Sequence, residues 1–213
     1  MTTFSELLDD IYLITSRPDL VDRTTLALKT AILKEHSPLG HDLRRDLSFI
    51  TIGLDQADPN YYRYQISLGS IAGGSRIRKI KSLTEMSSQG SVISDTYYGT
   101  LGIIKFTEVD SDNIVDAYSM EIPNYFYRSG DGLYLAAARQ VDTIKLSAYL
   151  YPDLSNTATY TDWLADLYPY LLIASASAEI FRVTGKDDKR RQQLLDLQDA
   201  RANLIRNEVT EIG

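Results

Sequence analysis

The stretch from Asp162 to Val209 restricts the fold more than any other part of this chain. It reads DWLADLYPYLLIASASAEIFRVTG, turns at Gly185, then runs KDDKRRQQLLDLQDARANLIRNEV with no further Gly or Pro. This pattern predicts a helical hairpin. Its first arm is apolar on almost every side, and Ala174 to Ala178 are all Ala or Ser. Small side chains let a neighbouring backbone come close, so this arm is expected to be a buried centre of the fold. The expected core is Trp163, Ala174, Ala176, Ala178 and Phe181. Pro169 lies too far from a cap at Thr161 to be an ordinary first-turn proline. Either the helix kinks there, or a short turn at 162–167 precedes the main helix.

The second arm, from about Asp187 to Val209, poses a different problem. Leu194, Leu195, Leu197, Ala200, Ala202, Leu204, Ile205 and Val209 spread over roughly 220° of a helical wheel. A surface helix that buries one side carries an apolar stripe of about 100° or somewhat more. Arg201 and Gln198 interrupt the wider face. Such a helix either buries one side in its own chain and offers the other to a second chain, or is a terminal helix of loose patterning.

The remainder divides by hydrophobic period. At the N-terminus, Thr3 and Glu6 have capping-box spacing, and Phe4, Leu7, Leu8, Ile11 and Ile14 make one stripe. A second helix is expected from SRPD, with Ser16 as its cap, Pro18 in the first turn, and Val21, Leu28 and Ile32 on one face. It fades at Glu35-His36, before Ser37, Pro38 and Gly40. From Leu43 to Tyr151 the period changes to two. Strands are expected in DLSFITIGL, YYRYQISL, RIRKIKSL, VISDTYYGTLGIIKFTEV, EIPNYFYR, LYLAA and TIKLSAYLY, with a hairpin turn at Ser129-Gly130-Asp131-Gly132. The expected class is α+β: a helix pair at the N-terminus, a central, mostly antiparallel β domain and a helical hairpin at the C-terminus. The expected divisions are 1–40, 41–155 and 156–213.

Composition excludes several functions. The chain has 213 residues and no cysteine, which removes disulfides, zinc-thiolate sites and a cysteine nucleophile. MTTFSELLDD lacks the basic start and apolar run of a signal peptide. The longest uncharged run of the hairpin, Leu167 to Ala178, is twelve residues, against the roughly 18–20 that a membrane span needs. A soluble, cytoplasmically made protein with no membrane association is expected. A net charge of −7 argues against a general nucleic-acid binder. Tyrosine is abundant, at fifteen against five Phe, which suits strands and interfaces alike.

No catalytic pattern emerges, and no cofactor or metal is expected. His36 and His41 lie outside the HExxH spacing of metalloproteases, and a capping or loop role suits them better. Thr184-Gly185-Lys186 lacks the upstream glycine of a phosphate loop. Asp110, Asp112, Asp116 and Glu121 match positions of a calcium loop, but Val115 stands where that loop needs glycine. The basic run Arg76, Arg78, Lys79 and Lys81 points to both faces of its strand and reads as a protected sheet edge.

Several pieces, taken in order, resemble the head-to-tail adaptor (head-completion, or connector) proteins of tailed bacteriophages. They are RPDL at 17–20, HS at 36–37, RDL at 45–47, FTEVDSDNIVDAYS at 106–119, YFYRSGDGLYLAA at 125–137, AYLYP at 148–152 and DWLADLYPYLLIASASAEIFRVTGKDD from Asp162. Residues 86–103 fit least and read as an elaboration such as an extended hairpin. The resemblance implies an α+β protomer, a helical bundle formed by the N- and C-terminal helices with the β domain projecting from it, and a non-enzymatic virion protein at the head–tail junction: a homo-oligomeric ring, dodecameric in most members, docked on the portal protein. Such a ring extends the DNA channel without binding DNA specifically and gives tail or nozzle proteins a platform. It also implies a portal or neighbour interface in the C-terminal segment, here Leu204, Ile205, Val209 and Ile212. Removing residues 200–213 is accordingly expected to leave a folded chain that no longer docks. The alternatives are a tail-completion or neck subunit further from the portal, and a free Tyr-rich β module. The latter would bind sugar or protein in a pocket lined by Tyr61, Tyr62, Tyr125 or Tyr127. An enzyme would depend on Asp110, Asp112 or Glu121.

Overall fold

The computed structural model describes residues 1–55, 62–86, 103–110 and 124–208. Its fold is α+β, and the chain divides into two compact units: Met1–Asp46 with Tyr151–Gly213, and Leu47–Leu150.

The first unit is helical. Helix α1 (Phe4–Thr15) starts with the capping box: the Thr3 hydroxyl accepts from the Glu6 N–H, and the Glu6 carboxylate accepts from the Thr3 N–H at 2.7 Å. It buries Phe4, Leu7, Ile11 and Thr15. Ile14, expected in that stripe, is half out in solvent. Thr15 fills the last turn, with its hydroxyl donating to the Ile11 carbonyl at 2.7 Å. Helix α2 (Val21–Glu35) begins later than its sequence suggests. Ser16 does not cap it; at φ 54° it closes α1, donating its N–H to Tyr12. Arg17 and Asp19 grip each other through two hydrogen bonds of 2.7 Å, and α2 has no side-chain cap. Its buried face is Thr24, Ala27, Leu28, Ala31, Ile32 and Glu35, while Val21 is exposed.

After the sheet, Asp162 caps a short helix α3 (Trp163–Leu167), its carboxylate accepting from the Leu164 N–H. Pro169 then opens α4 (Pro169–Val183) in its first turn, so of the two possibilities above the separate short helix is the one adopted. Helix α4 packs against α1, α2 and α5 (Asp187–Glu208), and the alanines make this possible. Ala174 and Ala176 belong to the helical core, Ala178 and Phe181 are also buried, and Trp163 packs against the core partly exposed. Ala176 is fully buried, and Ala176→Leu is expected to cost about 1–3 kcal/mol through overpacking. An unchanged denaturation midpoint would show that no backbone or side chain crowds it.

Gly185, at φ 69°, ends α4, and Asp187 and Asp188 suit the positive end of α5. The buried residues of α5 are Leu197, Leu204 and Glu208. These and Arg201 fall at 197, 201, 204 and 208, one narrow seam of helical spacing. Leu194 and Leu195 are 43% and 54% exposed, so most of the wide apolar arc lies outside the seam.

The second unit is a seven-stranded mixed sheet of β1 (Leu47–Gly53), β2 (Arg63–Ser67), β3 (Ile77–Glu85), β4 (Lys105–Glu108), β5 (Tyr125–Ser129), β6 (Gly132–Ala136) and β7 (Thr143–Leu150), in the order β1-β7-β3-β4-β5-β6-β2. All neighbours are antiparallel except β4 and β5. Its own core gathers Leu68, Leu83, Leu133, Ile144 and Leu146. β5 and β6 meet through Gly130-Asp131, with Ser129 opposite Gly132 and Gly130 at φ 58°. Strand β3 lies between β7 and β4 in the sheet order; among the described residues β7 pairs along its basic part, and β4 joins it past that part, at Leu83 and Thr84. Gly74 is required by close approach: a Cβ there would stand 1.9 Å from the Leu68 carbonyl oxygen. Residues 87–102, most of the proposed elaboration, lie outside the described residues.

Candidate functional site

The most concentrated chemistry in the helical unit surrounds His36. The residue closes α2, its N–H donating to the Ile32 carbonyl at 3.2 Å. The chain then turns through Ser37–Gly40 and again at Arg44–Asp46, which brings Asp46 back to the ring. From the far end of the sequence, Asp162 reaches the opposite side of that ring as it caps α3. His36 Nδ1 lies 2.8 Å from Asp46 Oδ1, and Nε2 lies 2.8 Å from Asp162 Oδ2. The Tyr160 hydroxyl donates to Asp162 Oδ2 at 2.8 Å, and Trp163 Nε1–H donates to Asp46 Oδ1 at 2.9 Å. The imidazole meets the Trp163 ring edge-on at 5.9 Å, and Arg45 lies over that indole at 5.6 Å.

His36 is only 1% exposed. Burial by itself disfavours the imidazolium, but the hydrogen bonds and charges of Asp162 and Asp46 outweigh it and raise the pKa to about 9. Ionised carboxylates only accept, so both ring nitrogens carry protons. Burial, the Asp162 charge and the shared hydrogen bond also push the Tyr160 hydroxyl above its ordinary value. With both nitrogens held and water excluded, His36 has no lone pair to offer a substrate. The cluster is a clamp joining the end of α2, the 44–46 turn and the start of α3.

A second buried charge pair lies one residue earlier. The Glu35 side chain is fully buried and accepts two hydrogen bonds from Arg201 of α5 and one, at 2.9 Å, from the Ser175 hydroxyl of α4. Three helices meet at one carboxylate. Arg45 reaches Glu208 at 2.9 Å and holds the end of α5 to the 44–46 turn.

The expected interface residues fare differently from one another. Leu204 is completely buried in the helical core, because it shares the inward seam with Leu197 and Arg201; it is not available to a partner. Ile205 is half-buried, and Val209 and Ile212 lie outside the described residues. This corrects the expected truncation as well: removing residues 200–213 deletes Arg201, Leu204 and Glu208, and therefore core rather than a docking tail. Elsewhere, His41 and Asp110 are exposed, and Asp112, Asp116, Glu121 and Tyr61 lie outside the described residues. Tyr125 is buried and Tyr127 stacks on Tyr134 at 4.9 Å, so both rings are engaged in packing. Among the described residues, no group of three or more His, Asp or Glu is placed to hold a metal ion, and no helix is long and apolar enough to cross a membrane.

Sequence reasoning missed Glu35, Asp46, Tyr160 and Asp162. A signal existed for the first. Glu35 continues the Leu28, Ala31 and Ile32 stripe, and Arg201 breaks the apolar arc of α5. Two interruptions of opposite charge on buried faces suggest a pair, although nothing local says that they meet. The surface left by these arrangements is apolar in places: Leu13 of α1, Leu26 of α2, Val183 of α4, and Leu194 and Leu195 of α5 are all exposed. No protein-family model matches this chain, and no curated protein matches it either.

Proposed function

We propose that this chain is a structural subunit of a virion, a ring-forming head-to-tail adaptor. In this reading it docks on a portal, extends the DNA channel and presents a platform to the tail. The reading starts from the resemblance carried by the RPDL, YFYRSGDGLYLAA and DWLADLYPYLLIASASAEIFRVTGKDD pieces. One physical observation supports it: large apolar side chains are exposed on four helices of the helical unit. Exposed apolar side chains mark a surface that another chain covers where they join into one patch, and Leu194 and Leu195 are neighbours on α5. A ring subunit needs two such surfaces, because ring contacts are heterologous. The acidic balance of the chain suits a conduit that must not retain DNA.

The test is imaging of native particles carrying a tagged copy of this chain. Tag density is expected at one vertex, directly beneath the portal. Density lower along the neck favours the tail-completion subunit, and density absent from every particle overturns both. Leu194→Asp with Leu195→Asp gives a sharper check. Both side chains are exposed, so stability is expected to change by no more than about 0.5 kcal/mol per site. Incorporation into particles should fall more than roughly tenfold if these leucines anchor a partner. Normal incorporation of the double variant would remove α5 from the interface.

A further inference from the structure

A groove of about 300 Å³ runs between α2 and α4, apart from the His36 clamp. The α2 wall is formed by Arg23, Leu26, Ala27, Thr30, Ala31 and Lys34, spaced as one helical face. Val183, 41% exposed, lines the α4 side and Leu26, 66% exposed, the α2 side. Arg23 and Lys34 mark the ends of the α2 wall, and Arg182, paired with Glu179, stands across from them. Three cations and one carboxylate around apolar side chains make this region basic, on a chain whose net charge is −7.

The same unit carries a surface of opposite character. Helix α1 has no Lys or Arg. Its outer face presents Asp9 and Asp10 beside Leu13, which is 78% exposed, and Ile14. These four residues fall within roughly 140° of the helix circumference.

We infer that the basic groove between α2 and α4 receives the acidic outer face of α1 from a second copy of this chain. This is the helix-in-groove mode, with Leu13 entering between Leu26 and Val183 while the adjacent Asp9 and Asp10 face the cations of the groove wall. The two patches differ and lie on separate residues, so each copy uses its groove for one neighbour and its α1 for another. A contact of that kind propagates in one direction and closes into a ring or extends as a filament. The inference refines the ring reading by naming both halves of the contact, but it stands on the charge and shape of these patches.

Sedimentation velocity over a range of protein concentrations at low salt tests it with two double variants, Arg23→Glu/Lys34→Glu and Asp9→Lys/Asp10→Lys. All four positions are exposed, and circular dichroism checks that both variants fold. Each variant alone is expected to associate at least roughly tenfold more weakly than wild type, because like charges then face each other. Mixing the two restores association, since the reversed groove of one meets the reversed α1 of the other. A wild-type chain that stays monomeric, or association that ignores both reversals, overturns the proposal. Weakening by the groove variant without weakening by the α1 variant overturns the assignment of α1 as occupant, and points to a different segment or a different protein in the groove. Reciprocal rescue in solution, with no tag density at the vertex of particles, would leave this contact standing while the adaptor reading falls.

Discussion

Replacing His36 by asparagine is expected to destabilise the helical unit by roughly 3–5 kcal/mol, because two buried carboxylates then face each other without their shared cation. Trp163 is the only tryptophan and touches the clamp through Asp46 and the imidazole. Its fluorescence therefore reports the urea unfolding of this unit. The wild type should also show a pH dependence that the variant lacks. His36 has a folded pKa of about 9, raised above its ordinary value of 6.5. Its contribution is fully present below pH 6.5 and is lost as the pH rises through 9, an effect of about 3 kcal/mol. Tyr160 acts in the same direction, since its folded pKa is also raised, but only above its ordinary value of 10. The interval between pH 6.5 and 9 thus isolates the histidine. Equal slopes for wild type and His36→Asn in that interval would show that the ring is not charged in the folded chain.

Arg201→Ala is expected to cost a similar amount, roughly 3–5 kcal/mol, since it strands the Glu35 carboxylate in the helical core. The pair's worth is separable from this penalty. Adding Glu35→Gln to the Arg201→Ala background removes the buried charge, keeps an acceptor for Ser175, and should recover a large part of the loss. A double-mutant cycle by chemical denaturation measures the coupling. If Arg201→Ala falls within about 0.5 kcal/mol of wild type, the guanidinium leaves no charge stranded, and water must reach Glu35.

Much of the local architecture follows from sequence because its causes are local. The Thr3–Glu6 capping box, the small side chains of α4, the break at Gly185 and the period-two strands each depend on neighbours a few residues away. Where reasoning from sequence erred, a distant group or a competing local bond decided the outcome. Ser16 closes α1 instead of opening α2, because its left-handed backbone puts its N–H on the Tyr12 carbonyl. Leu204 is expected at an interface because the resemblance puts one in the C-terminal segment, and a segment says nothing of which side of the helix meets the core. Strand β3 reads as an edge because its lysines and arginines alternate between faces; the sheet continues past it through β4, which pairs at Leu83 and Thr84, beyond the basic run. The clamp was illegible for a plainer reason: His36, Asp46 and Asp162 are polar residues at three unremarkable turns, and 126 positions separate the histidine from one of its carboxylates.

The amino-acid sequence by itself determined that this protein is α+β, that its ends are helical and that its middle is sheet, since hydrophobic period and capping act within a few residues. Only the tertiary structure decided which helix faces are spent inside the chain and which remain for a partner. That choice depends on long-range contacts, such as Arg201 with Glu35 and His36 with Asp162, whose energy arises only once burial removes both members from water.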